Sequence, residues 1–285
     1  MSIKTIFVGP YFEGAPNDRA PADSLIAYAI DMASIHGAHL SICIGVSKMS
    51  APSISFLGEA RSLIASANQE RRAHAETYAQ EVITRARSAG VTADVNVEQG
   101  EYLHLANVFA SAARLADAAI MQPNNEVLSL LQGITEEVLF NSGGAVITPP
   151  VGWVPHGSPA QITNAIVAWD GSARAARAIG DAIPLLARAN VVEIVTIGGD
   201  PDPTKRYDGA EVAPRLARHC KQVRVTHLPA IDGDIAGALI QHAQLSRADL
   251  IVMGAYAHSK FRQLVLGGVT RRMIGAPPVP VLMSY

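Results

Sequence analysis

The second half of the chain alternates short apolar runs with segments of helical periodicity. Two of these segments carry apolar residues at three- and four-residue spacing, one from Ala175 to Leu186 and the other from Ile235 to Ala243. Short apolar runs separated by such helices predict a parallel sheet with helices on both faces. The predicted strands are Ile162 to Trp169, Val191 to Ile197, Gln222 to Leu228, Leu250 to Met253 and Val279 to Met283.

The first half has the same alternation. A first strand is predicted at Thr5 to Val8, and apolar residues then recur at helical spacing from Leu25 to Ala33. A longer helical stretch is predicted from about Glu59 to Ser88. We therefore predict an α/β fold throughout, with an open, mostly parallel sheet of five strands in each half.

The two halves also resemble each other in sequence. A shift of 132 residues aligns Ala116 to Met121 with Ala248 to Met253, and a shift of 135 aligns the last strands of the two halves. A shift of 160 aligns Thr5 with Ala165 in the first strands. Such self-similarity predicts two copies of one structural unit.

A Pro- and Gly-rich stretch, from Pro149 to Ser158, separates the two copies and is typical of a linker. The chain is therefore predicted to contain two tandem domains, at residues 1–150 and 159–285.

Polar and glycine residues follow two of the predicted strands in the second half. Asp170 follows the first strand and Gly254 the fourth, while the segment from Gly267 to Thr270 begins with two glycines and enters a predicted helix. In a parallel sheet the strand ends meet at one edge, where ligands bind. Glycine permits close approach of the backbone or a positive φ, and a helix N-terminus offers N–H groups to a phosphate. This edge therefore predicts a phosphate-bearing ligand.

Composition excludes several classes of protein. The 285 residues are 49% hydrophobic with a formal net charge of −2, so no basic surface for nucleic acid is indicated. Apolar runs are too short to span a membrane, and the N-terminus reads as a strand rather than a signal peptide. The two cysteines, Cys43 and Cys220, make no disulfide framework, which favours a reducing, cytoplasmic location.

The spacing Gly254, Ala257, Gly267, Gly268 resembles the Gly-x2-Gly-x9-Gly-(Ser/Thr) motif of the nucleotide-binding members of the universal stress protein family. Asp170 matches the aspartate that ends the first strand in that family. The resemblance covers both halves and implies the tandem two-domain form, with the Rossmann-like fold of the adenine nucleotide alpha hydrolases and a role in stress response.

The resemblance also implies an adenine-nucleotide site, for ATP or a relative, with Mg²⁺ bound mainly to the phosphates. Asp170 would bind the adenosine end, and backbone N–H groups from Gly267 onward would hold the phosphates together with the Thr270 hydroxyl. The residues carried over by position are Ala168, Trp169, Asp170, Ile197, Met253, Gly254, Tyr256, Ala257, Gly267, Gly268, Val269 and Thr270.

Two positions depart from the family motif. Ala257 replaces the second glycine, which costs about 1 kcal/mol if the backbone there needs positive φ and little if it does not. Gly268 replaces the Ser/Thr and removes one side-chain donor while keeping the N–H. These departures leave open a second hypothesis, a nucleotide-free scaffold that binds protein partners.

The first half lacks the motif and is predicted not to bind nucleotide. The 160-residue shift makes Pro10 the counterpart of Asp170, and Gln122 is the counterpart of Gly254. The resemblance implies that the last strands, Ala145 to Thr148 and Val279 to Met283, meet across an internal two-fold axis. The chain would then be a pseudo-dimer, with further homodimerisation left open.

No catalytic residue, general base or metal-ligand set is predicted, so any ATPase activity would be slow. A third hypothesis is an enzyme or carrier for another small ligand, with Tyr11 and Tyr102 lining its pocket. Four cations lie near the proposed phosphate site: Lys260, Arg262, Arg271 and Arg272. They fit either neutralisation of the phosphate charge or a solvated face. Arg271 and Arg272 also fit a salt bridge between the halves.

Overall fold

The computed structural model describes residues 2–13, 19–50, 58–123, 130–154, 158–198, 209–255, 257–258 and 265–285. Among these residues the backbone forms an α/β fold in which eleven strands, flanked by helices, build one continuous sheet. The predicted fold class is confirmed.

The first half contributes six strands and four helices within its described residues. Its first strand lies one residue from the predicted bounds, and its long helix begins within a residue of the predicted start. The elements are β1 (Thr5–Gly9), β2 (Tyr11–Phe12), α1 (Arg19–His36), β3 (His39–Ser47), α2 (Gly58–Ser88), β4 (Ala93–Gly100), α3 (Tyr102–Ala113), β5 (Ala118–Met121), α4 (Leu130–Asn141) and β6 (Ala145–Thr148).

The second half repeats this order, and its five predicted strands are confirmed with end shifts of at most two residues. A two-stranded hairpin within the predicted polar loop was not predicted. The elements are β7 (Asn164–Ala168), α5 (Ala173–Leu186), β8 (Val191–Ile197), α6 (Ala213–Ala217), β9 (Val223–Leu228), a 3₁₀ turn (Ile231–Gly233), α7 (Ile235–Leu245), β10 (Leu250–Gly254), β11 (Ala257–His258), β12 (Val265–Leu266), α8 (Gly268–Gly275) and β13 (Val281–Ser284).

The strands lie in the order β4-β3-β1-β5-β6-β13-β10-β7-β8-β9, and β2 resumes the pairing of β1 with β3. Every strand pair of this sheet that lies within one half is parallel. The halves meet at β6 and β13, which pair antiparallel with Leu282 opposite Ile147. The predicted pairing of the two last strands is therefore observed, and it merges the two sheets into one.

Alternate residues of each strand pack on opposite faces of the sheet. Ile6 and Val8 of β1 join one apolar core, and Phe7 between them joins the other. Helices α1, α2, α5 and α6 cover the first face, whereas α3, α4, α7 and α8 cover the second. Because both faces are covered, the central strands β5 and β10 consist of buried apolar residues, apart from Gly254 at the end of β10.

The connection between the halves is docked on helix α1. The Ser24 hydroxyl accepts a hydrogen bond from the Gly152 amide at 2.7 Å. The Asp31 carboxylate accepts hydrogen bonds from the Ser158 hydroxyl at 2.5 Å and the Ala160 amide at 2.7 Å. In the described part of the chain, no helix is long and apolar enough to cross a membrane.

Candidate functional site

A cleft of about 320 Å³ lies at the carboxyl ends of β7, β8 and β10, next to the start of α8. Strand β7 has β10 on one side and β8 on the other, so the strand order reverses here, as at ligand sites of other open α/β sheets. The cleft is lined by Ala168, Trp169, Asp170, Val195, Ile197, Ile235, Leu239, Met253, Gly254, Gly267, Gly268, Val269 and Thr270.

Ten of the twelve residues predicted from the sequence therefore line one cleft. Of the other two, Tyr256 lies outside the described residues, and Ala257 lies in β11, paired antiparallel with Leu266. The role of the ten residues in nucleotide binding stays a prediction.

Sequence reasoning missed three apolar lining residues, Val195, Ile235 and Leu239. Ile235 and Leu239 were visible as one face of a helix, and the helix that follows β9 begins beside the cleft. Val195 lies two residues before Ile197, on the same face of β8. Helical and strand periodicity carried the signal, but only the tertiary arrangement turns these faces toward the cleft.

One end of the cleft is apolar and built from the sheet and α7. Val195 and Leu239 are each 1% exposed, and Met253 is 6% exposed. Ile235, on the first turn of α7, is 42% exposed at the rim. Such walls suit a flat, weakly polar ring system, which gains apolar contact on both faces.

Asp170 lies at the rim of the cleft, in the turn that leads from β7 into α5. Its Oδ1 accepts a hydrogen bond from the Ser172 amide at 2.9 Å, and Gly171 between them adopts a φ of +74°. The Ser172 hydroxyl in turn caps α5 by accepting from the Ala175 amide at 3.1 Å. Within the described residues, the second oxygen of Asp170 has no hydrogen-bond donor and remains able to accept from a ligand.

Trp169 is fixed beside the cleft by both its backbone and its side chain. Its amide donates to the Val195 carbonyl at 2.9 Å, which extends the β7–β8 ladder past the last strand residue. The indole N–H donates to Glu211 Oε1 at 2.6 Å. The ring is therefore held at the end of the sheet, and Trp169 is one of the residues that line the cleft.

The motif glycines serve different purposes. A Cβ on Gly254 would lie 2.6 Å from the Ala175 amide nitrogen, so this glycine allows α5 to pack against the end of β10. A Cβ on Gly268 would meet no atom within 4 Å. None of these glycines adopts a positive φ. Gly267 has a φ of −62°, and neither Gly254 nor Gly268 lies in the left-handed region.

Helix α8 begins at the cleft with uncapped backbone donors. Gly267 is the N-cap residue and supplies no side-chain acceptor. The first helical hydrogen bond is donated by the Arg271 amide to the Gly267 carbonyl at 3.0 Å. The amides of Gly268 and Val269 precede it and have no acceptor within the helix, so this end of the cleft favours an anion.

One of the four candidate phosphate-binding cations is engaged elsewhere, and a second lies near a carboxylate of the first half. The Arg272 guanidinium contacts both Asp234 oxygens at 3.1 Å, which ties α8 to the N-cap of α7. Burial raises the pKa of Glu136 in α4, against the Gln132 hydrogen bond and the charge of Arg271. Arg271 therefore faces the first half, as an interaction between the halves requires. The side chains of Lys260 and Arg262 lie outside the described residues.

The pairing registers correct one counterpart in the first half. Ile6 pairs with Ala118 as Ala165 pairs with Leu250, so the first strands are related by 159 residues, not 160. The counterpart of Asp170 is therefore Tyr11, and the assignment to Pro10 is wrong. The sequence alignment slipped because both strands are uniformly apolar and matched equally well at either shift.

Aromatic rings occupy the first-half region that corresponds to the cleft. The Phe109 ring lies where a Cβ on Gly9 or Gly45 would be, 2.8 Å from each. By strand register Gly9 and Gly45 are the counterparts of Ala168 and Ile197, which line the cleft.

Gly133, in the first turn of α4, is covered in the same way. The Tyr102 hydroxyl lies 2.7 Å from where a Cβ on Gly133, the counterpart of Gly268, would be. Tyr11 is itself 4% exposed. These rings fill the region rather than lining an open pocket, which weighs against the hypothesis that Tyr11 and Tyr102 bind another small ligand.

The model of the universal stress protein family matches residues 161–284. A curated universal stress protein from a Synechocystis strain is 28% identical over 129 residues, and the match spans 42% of this chain and 42% of that protein. The second half of the chain is therefore a universal stress protein domain, which confirms the family recognised from its motif.

Solved structures extend the likeness in fold to the whole chain. A universal stress protein from Archaeoglobus fulgidus superposes with a TM-score of 0.69 at 17% identity and covers 97% of both chains. A putative universal stress protein from Pseudomonas aeruginosa has a TM-score of 0.57 at 14% identity and covers 99% of this chain and 93% of its own. The two halves thus share the architecture of universal stress proteins from end to end.

Proposed function

We propose that the second half binds ATP or a related adenine nucleotide in the cleft, as a sensor or regulator in a stress response. One observation carries the proposal: apolar residues, a carboxylate and a helix N-terminus line the same cleft. Adenine, ribose and phosphates need these three environments, joined in one ligand-sized space.

Each part of the nucleotide has a candidate partner. The base would lie between Ile197 and the apolar wall from α7, and the ribose hydroxyls would donate to Asp170. The phosphates would accept hydrogen bonds from the Gly268 and Val269 amides. Thr270 is only 1% exposed, which favours its backbone over its hydroxyl as the phosphate partner.

Mg²⁺ would enter with the nucleotide, coordinated mainly by phosphate oxygens and water. The cleft lining contains one carboxylate, Asp170, and no residue positioned as a general base among the described residues. Phosphoryl transfer depends on groups positioned around the nucleophile and the leaving oxygen. We therefore propose binding as the function, with slow hydrolysis at most.

The tandem organisation is part of the same proposal. Residues 1–150 would act as a structural domain without nucleotide, and residues 159–285 as the nucleotide-binding domain of an internal pseudo-dimer in the cytoplasm. The antiparallel pairing of β6 with β13 and the aromatic rings around Phe109 support this division of roles. A nucleotide-free scaffold for protein partners is the competing function.

The test begins with a search for adenine nucleotide in the purified protein, followed by calorimetric titration with Mg²⁺ and ATP. We expect one site per chain. Asp170→Ala should weaken binding at least about tenfold, because a hydrogen bond to a charged group contributes about 1.5–3 kcal/mol. The matched control is Tyr11→Phe at the first-half counterpart, which should leave affinity and stoichiometry unchanged.

Two outcomes would contradict the proposal. Binding that survives Asp170→Ala undiminished would remove the assignment of this cleft. Absence of both heat and co-purified nucleotide would favour the scaffold.

A further inference from the structure

A second cavity, of about 490 Å³, lies at the opposite edge of the sheet from the nucleotide cleft. Its walls come from the residues that precede β7, β8 and β9 and from the last turn of α1. The segment that follows α5 also contributes. The connection between the halves forms another wall, from Ser158 to Thr163. The cavity therefore has contributions from both halves of the chain.

Basic groups dominate the charge of this cavity. Its lining includes His36, Arg188 and Lys221 and contains no carboxylate. The Lys221 ammonium donates to the Asn190 side-chain oxygen at 3.0 Å, a neutral partner that leaves its charge uncompensated. In the described part of the chain the Arg188 guanidinium forms no ion pair.

The surroundings of His36 agree with a locally positive potential. Burial lowers the pKa of His36, and the charge of Arg188 lowers it further. A nearby carboxylate would act in the opposite direction. The Asp31 carboxylate contacts two residues of the lining, because its Oδ2 accepts hydrogen bonds from Ser158 and Ala160.

We propose that this cavity binds the phosphate group of a small phosphorylated metabolite, and that the bound ligand links the first half to the second. A phosphate dianion would neutralise Arg188 and Lys221, and the side-chain amide of Gln161 would offer a further donor. The volume exceeds that of a single oxyanion and leaves room for a sugar-sized body. The site is separate from the cleft and independent of the proposed adenine-nucleotide function.

The test is a titration of the full chain with inorganic phosphate at constant ionic strength, followed by NMR of the His36 imidazole and by thermal unfolding. The His36 signal is assigned with His36→Gln. Phosphate should shift this signal, raise the pKa of the imidazole, and raise the unfolding temperature. A sugar phosphate such as glucose 6-phosphate should bind more tightly than phosphate if the remaining volume holds the metabolite body.

Arg188→Gln and Lys221→Gln should each weaken phosphate binding about tenfold, in keeping with the loss of one charge-assisted hydrogen bond. Arg61→Gln, an exposed arginine on α2 outside the cavity lining, is the matched control and should have no effect. Phosphate held at the start of α8 in the nucleotide cleft would not respond to either cation variant, which separates the two sites.

Two results would overturn the proposal. The first is an equal response to chloride at the same ionic strength. The second is phosphate binding unchanged in both cation variants, which would assign the phosphate to another site, such as the nucleotide cleft.

Discussion

Asp117 and Asp249 make the same pair of hydrogen bonds in the two halves. Asp117 Oδ2 accepts from the Lys4 and Thr5 amides at 2.7 and 2.9 Å. Asp249 Oδ2 accepts from the Thr163 and Asn164 amides at the same distances. Each carboxylate thus fixes the start of the first strand against the start of the fourth. The two sites differ in burial, because Asp117 is exposed and Asp249 is only 3% exposed.

This difference in burial predicts unequal costs of removing the two carboxylates. Asp249→Ala should lower the free energy of unfolding by about 2–4 kcal/mol, since two partly buried amides lose a buried, charged acceptor. Asp117→Ala should cost about 1 kcal/mol, because water can replace the acceptor at the exposed site. Urea unfolding of both variants gives the comparison, and equal costs would contradict the role of burial.

The strands were predictable because their residues are apolar on both faces, and Val191–Ile197 is observed with the predicted bounds. The register was not predictable, because a one-residue slip between uniformly apolar strands leaves the pattern unchanged. Tyr11 was therefore missed as the counterpart of Asp170. The cleft position was predictable from strand ends and glycines. Its filling by Phe109 in the first half was not, because it depends on how α3 packs over Gly9 and Gly45.

The two motif glycines Gly254 and Gly268 should differ in their tolerance of a methyl group. Gly254→Ala places a Cβ 2.6 Å from a backbone nitrogen of α5, which cannot move without shifting the helix. We expect a loss of about 1–3 kcal/mol in the free energy of unfolding. Gly268→Ala meets open space on a helical residue and should be neutral or stabilising by up to about 1 kcal/mol.

Urea unfolding of the two glycine variants decides the point. Unchanged stability of Gly254→Ala would mean that α5 adapts, and that Gly254 is not required for packing. Ligand binding would then be the only role proposed for Gly254.

Cys43 should make the protein less stable at alkaline pH. Burial, with a smaller contribution from Glu98, raises the pKa of its thiol from 9.0 to about 12. Above pH 9 the unfolded chain releases this proton while the folded chain retains it, so stability falls as pH rises toward 12. One such group gives a slope of about 1.4 kcal/mol per pH unit.

The measurement is urea unfolding of the wild type and of Cys43→Ala between about pH 8 and 10, and the difference between the two proteins cancels the tyrosines that both contain. The variant should be less stable at pH 8 because it leaves a small cavity, but its stability should decline less steeply with pH. A slope identical to that of the wild type would show that the Cys43 thiol is not protected from deprotonation.

Phe109 and Leu239 should separate packing from ligand binding. The Phe109 ring fills the region in the first half, whereas the Leu239 side chain forms a wall of the cleft in the second half. Both are fully buried, so Phe109→Ala should cost about 3–5 kcal/mol and Leu239→Ala about 2–5 kcal/mol in unfolding free energy. Only Leu239→Ala should weaken ATP binding, measured by calorimetry. A second nucleotide site appearing in Phe109→Ala would mean that this ring alone blocks the first half.

Gly268 offers a test of what the phosphate end of the cleft lacks. A serine there would present a hydroxyl at the start of α8, and the open space around Gly268 admits its side chain without displacing other atoms. Because a hydrogen bond to a charged group contributes about 1.5–3 kcal/mol, Gly268→Ser should tighten ATP binding about tenfold. Gly268→Ala is the control, since it adds the same Cβ without a donor and should leave affinity near that of the wild type. Calorimetry with Mg²⁺ and ATP compares the three proteins. Equal affinities for the serine and alanine variants would mean that the phosphates do not approach α8, and the anion-binding role of its N-terminus would have to be abandoned.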